Sequence, residues 1–147
     1  MPIYTRILAA ADLRDDGGRV IDYAATLASA LGAELHVAHI VEPLPLAYGG
    51  EFPSAVRDIQ TSLQDQARTR LKEATRAYDV PDANCHLGGG SASSEIRRLA
   101  KDLAVDLVVI GTHRRRGFEF FMGSTSNAVL HDEAFDVLAV RLKKPDA

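Results

Sequence analysis

Apolar positions along the chain alternate between short continuous runs and longer stretches spaced for one helical face. Ile7-Leu8-Ala9-Ala10-Ala11 is an unbroken run that stops at Asp12, the pattern of a strand buried on both sides. Val20, Ile21, Ala24, Leu27, Ala28 and Leu31 then fall on one helical stripe, with Gly32 as its stop. Leu35–Val41 reads as a second strand closed by Glu42-Pro43, and Leu44–Phe52, with Pro45, Gly49 and Gly50, as a loop. Pro53 suits the first turn of a long helix with an inner face of Val56, Ile59, Leu63, Ala67, Leu71, Ala74 and Tyr78, ended by Pro81. A weak third strand is predicted near Asn84–Leu87, with Gly88-Gly89-Gly90 as its flexible exit. Ser91 is the expected N-cap of a helix that turns Ile96, Leu99, Ala100 and Leu103 inward. Asp106–Ile110 is the strongest strand signal, and Gly111 is expected to end it. A helix around Ser124–His131 and a last strand, Val137–Leu142, complete the pattern.

Strand and helix thus alternate five and four times. Continuous rather than alternating strands predict an α/β fold, a single open doubly wound five-stranded parallel sheet with helices on both faces. Crossovers should be right-handed. With no linker or low-complexity tract, residues 1–147 are expected to form one domain.

Composition removes several classes of function. Lys+Arg 17 against Asp+Glu 20 leaves a net charge of −3, without the basic face that a nucleic-acid partner demands. Aromatics make up 6% and Trp is absent, so stacking platforms for single strands are not expected. Cys85, the single cysteine, excludes an internal disulfide or a cysteine-built zinc site. No apolar run approaches the ~20 residues that span a bilayer, and Met1–Arg6 lacks the features of a signal peptide. No membrane partner and a cytoplasmic location are expected.

In open parallel sheets, ligands bind beyond the carboxyl ends of the strands, where strand order reverses. The segment Gly111–Asn127 after the fourth strand is the richest such place. A Gly-Ser-Thr opens the following helix, offering backbone N–H groups, hydroxyls and a helix dipole to an anion. Arg114-Arg115-Arg116 lie in the same loop, either as phosphate contacts or as a solvated surface run. The spacing is not that of an ordinary P-loop. Asp12 is a ligand-facing group or a turn residue, and Ser124 is most simply a helix cap. The five histidines have no metal-site spacing, and nothing marks Cys85 as reactive.

At this loop the chain resembles the universal stress protein family, whose nucleotide-binding members carry Gly-x2-Gly-x9-Gly-[Ser/Thr] after the fourth strand. The likeness extends over nearly the whole chain. It includes Ile7–Asp12, Leu35–Pro43, Gly90 with Ile96, Asp106–His113, Gly123–His131 and Asp136–Arg141. It implies sheet order 3-2-1-4-5 and an adenine-nucleotide site between strands one and four. Ala10, Ala11, Asp12, Ile40 and Val41 would surround the base, Ile110 and Gly111 would lie by the ribose, and Gly123, Ser124 and Thr125 would hold phosphates. His113, Arg114 and Gly117 lie in the same implied loop. Asp12 would face the ribose or a magnesium ion. The implied ligand is ATP or another adenine nucleotide, with Mg, and no cofactor is essential. Arg114 stands where the pattern has its second glycine, and Gly111 to Gly123 spans twelve positions where the pattern spans thirteen. Arginine there either fills space a phosphate would occupy or turns its guanidinium onto it.

Two functions of different class follow. One is a cytoplasmic stress-response protein that binds adenine nucleotide weakly or conditionally. The other is an interaction module of the same fold, acting through protein partners without nucleotide. No catalytic residue is assigned. Slow ATP hydrolysis or autophosphorylation is the upper limit, with Asp12, His113 and Glu119 as the available bases. Strand Val137–Leu142 would form an apolar sheet edge, and both edge physics and the resemblance imply a homodimer through it. A receiver domain and a dinucleotide fold fit less well. Asp12 stands alone after the first strand, and no Gly-x-Gly-x-x-Gly follows it.

Overall fold

The computed structural model describes residues 3–13, 17–41, 53–112 and 124–142. Its strands are β1 (Arg6–Ala10), β2 (Glu34–Val41), β3 (Cys85–Gly89), β4 (Leu107–Thr112) and β5 (Asp136–Arg141). The helices are α1 (Gly17–Leu31), α2 (Pro53–Arg76), α3 (Ala92–Asp102) and α4 (Ser124–Leu130), with a short 3-10 turn at Asp82–Asn84. All strand pairs are parallel, in the order β3-β2-β1-β4-β5. The sheet is the expected one, and the alternation along each strand sorts its residues to two faces.

On one face, Ile7, Ala9, Val37, Leu107 and Val109 pack with Val20, Ile21, Ala24 and Ala28 of α1 and Leu71 of α2. On the other, Leu8, Ala38, Val108 and Ile110 meet Ile96, Leu99 and Ala100 of α3 and Val129 of α4. Ile7, Leu8, Val108 and Val109 lose all contact with solvent, which is why β1 and β4 read as continuous apolar runs.

Helix ends follow local chemistry. Gly32 takes φ +67 and the Ala33 N–H donates to the Ala28 carbonyl, a Schellman stop of the kind its position predicts. Helix α3 ends the same way with no glycine: Ala104 sits at φ 53 while the Val105 N–H donates to the Ala100 carbonyl.

Four details depart from the sequence reading. Gly88 and Gly89 belong to β3, paired with Ile40 and Val41, and are not a flexible exit. A Cβ on Gly88 would stand 2.8 Å from Ile40 Cδ1 and 3.1 Å from Glu95 Oε2, so the glycine makes room for a neighbouring strand and for α3. β4 continues through Gly111 to Thr112, because β5 keeps pairing with it up to Arg141. Ser91 occupies the N-cap position but its hydroxyl makes no capping bond and instead lies 3.3 Å from that of Ser93. On α2, Ala67 and Leu71 are buried while Ile59 is 51% exposed. A helix of 24 residues is ~36 Å long, about twice the length of a five-residue strand, so the sheet covers only its C-terminal part.

Candidate functional site

The site is a consequence of where strand pairing stops. β1 pairs with β4 only from Ile7 opposite Leu107 to Ala9 opposite Val109. On its other side β1 stays with β2 through Ala10 opposite Ala38, and the Ala11 N–H still donates to the Ala38 carbonyl at 3.0 Å. β4 likewise stays with β5 through Thr112 opposite Arg141, extended by the Leu142 N–H to the Thr112 carbonyl at 3.0 Å. Beyond Ala9 and Val109, each central strand keeps only its outer neighbour, and the switch point of the sheet falls between Ala10–Asp12 and Ile110–Thr112. It lies at the carboxyl ends of the strands, at the reversal of strand order, where open α/β sheets take their ligands.

The described residues that sequence reading nominated lie at or just beyond the carboxyl ends of the strands, or at the start of α4. Ala10, Ile40 and Ile110 belong to the α3/α4 side of the sheet and Ala11 to the α1/α2 side. Asp12 is half-buried directly after β1, and Val41, half-buried, ends β2. Ser124 and Thr125 form the first turn of α4. His113, Arg114, Gly117 and Gly123 lie outside the described residues.

Gly111 has a packing reason to be glycine. A Cβ there would stand 2.7 Å from Leu142 Cδ1 and 3.1 Å from Val20 Cγ2. Leu142 and Val20 close over β4 on the α1 face because no side chain intervenes.

Two residues of the site were not nominated from sequence. Thr112 is 2% exposed, and its hydroxyl lies 3.5 Å from the Val140 carbonyl, tying the end of β4 to β5. His39, on β2, places Nδ1 2.9 Å from the Ala11 carbonyl oxygen. An Ile-Gly-Thr ending to the strongest strand could have drawn attention to Thr112. Nothing local could have revealed His39, whose partner is 28 residues away.

Resolved shifts in acidity lie elsewhere and have structural causes. Asp132 is held down to about 2, first by the Arg97 guanidinium at 2.8 Å, then by the Ala134 N–H and by Lys101. His86 lies below its usual 6.5 through burial and then the neighbouring His36 ring, whose Nδ1 is 3.1 Å from His86 Nε2. The other nitrogen of His36 meets Glu34 Oε1 at 3.1 Å. Among the described residues no group of three or more His, Cys, Asp or Glu is arranged to hold a metal ion. No helix among them is long and apolar enough to cross a membrane.

An all-parallel five-stranded sheet of this order can be set beside known proteins. The profile of the universal stress protein family matches residues 3–141. Universal stress protein A homolog 1 of Coxiella burnetii is 39% identical over 142 residues, 96% of this chain and 99% of that one. A solved structure from Pseudomonas aeruginosa UCBPP-PA14 is 26% identical with a TM-score of 0.71. It aligns with 93% of this chain but 47% of its own, so this chain spans about half its length. A universal stress protein solved in complex with cAMP shares the fold at 21% identity and a TM-score of 0.60, over 93% of this chain and 96% of its own. The chain belongs to the universal stress protein family.

Proposed function

We propose that the crevice between β1 and β4 binds an adenine nucleotide and that the chain acts in the cytoplasmic stress response through its bound and unbound states. The observation that carries this is the end of β1–β4 pairing at Ala9 opposite Val109, which puts Asp12 and the end of β4 at the reversal of strand order, where such sheets take ligands. Half-buried Ile40 on β2 offers apolar surface suited to a purine ring, and Gly123-Ser124-Thr125 follow β4 in sequence at the start of α4. The cAMP complex of a relative with this fold supports an adenine ligand. Asp12 supplies a carboxylate for a ribose hydroxyl or for magnesium travelling with the phosphates.

The test is titration calorimetry of nucleotide-stripped protein with Mg-ATP, AMP and cAMP, beside Arg114→Gly and Asp12→Ala. Binding in the parent that weakens in both variants supports the site and makes Arg114 a phosphate ligand. Binding gained only in Arg114→Gly means that the native arginine closes the site and the chain works through its surfaces. No heat in any of them overturns the nucleotide reading.

The same reading includes a homodimer through β5. The sheet order leaves β5 at an edge, and Val137 and Leu138 on it are only half-buried in the isolated chain. Light scattering that finds a stable monomer at micromolar concentration removes it.

A further inference from the structure

We infer that His39 is the positioning residue of the crevice: its imidazole sets the Ala11–Asp12 peptide that faces an adenine nucleotide, an inference that rests on the nucleotide reading above. Ala11 lies one residue beyond β1, and β2 holds both of its main-chain polar groups. The backbone of β2 takes the N–H, at 3.0 Å from the Ala38 carbonyl. A side chain of β2 takes the carbonyl, at 2.9 Å from His39 Nδ1.

A carbonyl oxygen only accepts, so Nδ1 of His39 carries the proton. The neutral ring is the Nδ1–H tautomer, and a charged ring keeps the same bond. The Ala11 carbonyl also belongs to the peptide plane that joins Ala11 to Asp12. No peptide in the described chain is cis, so the Asp12 N–H points opposite to that carbonyl, away from β2. In the order β3-β2-β1-β4-β5, away from β2 is toward β4, across the crevice. One ring on β2 thereby orients the backbone donor of Asp12 and the root of its carboxylate.

This task falls to a side chain because the main-chain ladder is running out. Pairing of β1 with β4 has ended at Ala9, and the β1–β2 register ends at Ala10. Without His39 the Ala11 carbonyl would lose this hydrogen bond, and a ligand would have to order the peptide further on binding, which lowers affinity.

The experiment compares His39→Asn, His39→Gln and His39→Leu. An Asn amide nitrogen reaches the place of Nδ1, a Gln amide lies farther out, and Leu has no donor. Each is titrated with Mg-ATP and AMP, and thermal unfolding reports whether it is folded. Affinity should fall about tenfold in the Gln and Leu variants, the factor set by one net hydrogen bond, and stay within about threefold in Asn. If the Leu variant does not fold, the Asn and Gln pair decides. Equal affinity across parent, Asn and Gln overturns the inference.

A second readout needs no ligand. Nitrogen NMR of the imidazole should show the Nδ1–H tautomer, and the Asp12 amide should shift in Gln but hold its place in Asn. An Nε2–H tautomer, or an unmoved Asp12 amide in Gln, overturns the clip by itself. If the parent binds no adenine nucleotide, the nucleotide reading falls, and these two signals alone decide what His39 does.

Discussion

Removing the Asp106 carboxylate tests how the central strands are held at the end opposite the crevice. One oxygen of Asp106 accepts from the Thr5 N–H at 2.8 Å and the Thr5 hydroxyl at 2.9 Å, and the other from the Arg6 N–H at 3.0 Å. The start of β4 is thereby tied to the start of β1, the pair whose later separation makes the site. Burial raises the Asp106 pKa, but the bonds from Thr5 and Arg6 outweigh it, and the carboxyl ends below its ordinary 3.8. A hydrogen bond to a charged group is worth ~1.5–3 kcal/mol, yet Thr5 and Arg6 are exposed and their freed donors can return to water. The three bonds together should therefore count for about 2 kcal/mol rather than their sum. Asp106→Ala should lower the melting temperature by about 4–8 °C and shift the urea midpoint accordingly, read by far-UV circular dichroism.

Asp106→Asn adds a test of sign. A depressed carboxylate contributes fully above its unfolded pKa of 3.8 and loses that contribution as pH falls through the lower folded value. The gap between parent and Asp106→Asn should be constant near neutrality and narrow below 3.8. An Asp106→Ala protein within about 0.5 kcal/mol of the parent, or a gap that widens in acid, refutes the reasoning.

Ala104→Gly should stabilise the protein by about 0.5–1 kcal/mol in thermal unfolding, since relief of a left-handed alanine at φ 53 exceeds the added entropy of the unfolded chain; destabilisation would contradict this. Gly88→Ala should cost no more than about 1 kcal/mol by urea denaturation, because the atoms its Cβ would meet are the ends of the Ile40 and Glu95 side chains and can shift, and Gly89→Ala, with nothing nearer than 3.8 Å, should be milder still. His86 has its pKa lowered by burial and by His36, so the unfolded chain binds more protons between that lowered value and 6.5. Its contribution is complete above 6.5 and lost as pH falls through the lowered value; His86→Leu should flatten the rise of urea midpoint with pH across that window. Arg97→Ala leaves Asp132, whose side chain is 5% exposed, with Lys101 at 3.4 Å as its remaining cation among the described residues, and the loss of its contribution in acid should move up from about 2 toward the ordinary 3.8.

Local pattern was enough for the architecture. Runs such as Ile7–Ala11 are strands because residues buried on both faces must all be apolar, and Val20–Leu31 is a helix because one face must be. Gly32 was legible as a stop because its positive φ is a property of one residue and its neighbours. The resemblance named the family, and it nominated Ala10, Asp12 and Gly111, which lie at the carboxyl ends of β1 and β4.

What the sequence left undecided was everything set by partners distant along the chain. Gly88 looked like a loop glycine because the strand and helix that crowd it, through Ile40 and Glu95, are not its neighbours in sequence. Gly111 looked like a strand end because Val20 and Leu142, which need its missing side chain, lie 91 and 31 positions away. Ile59 matched the helical stripe, but periodicity carries no information about how far a sheet extends beneath a helix. The switch point has no local signature either. It lies where β1 keeps β2 and β4 keeps β5 after their own pairing ends, and where the His39 ring of a neighbouring strand meets the Ala11 carbonyl. Periodicity reports which face of an element is buried, while only the packed fold decides which residues meet there, since those meetings depend on strand register and close approach between segments far apart in the chain.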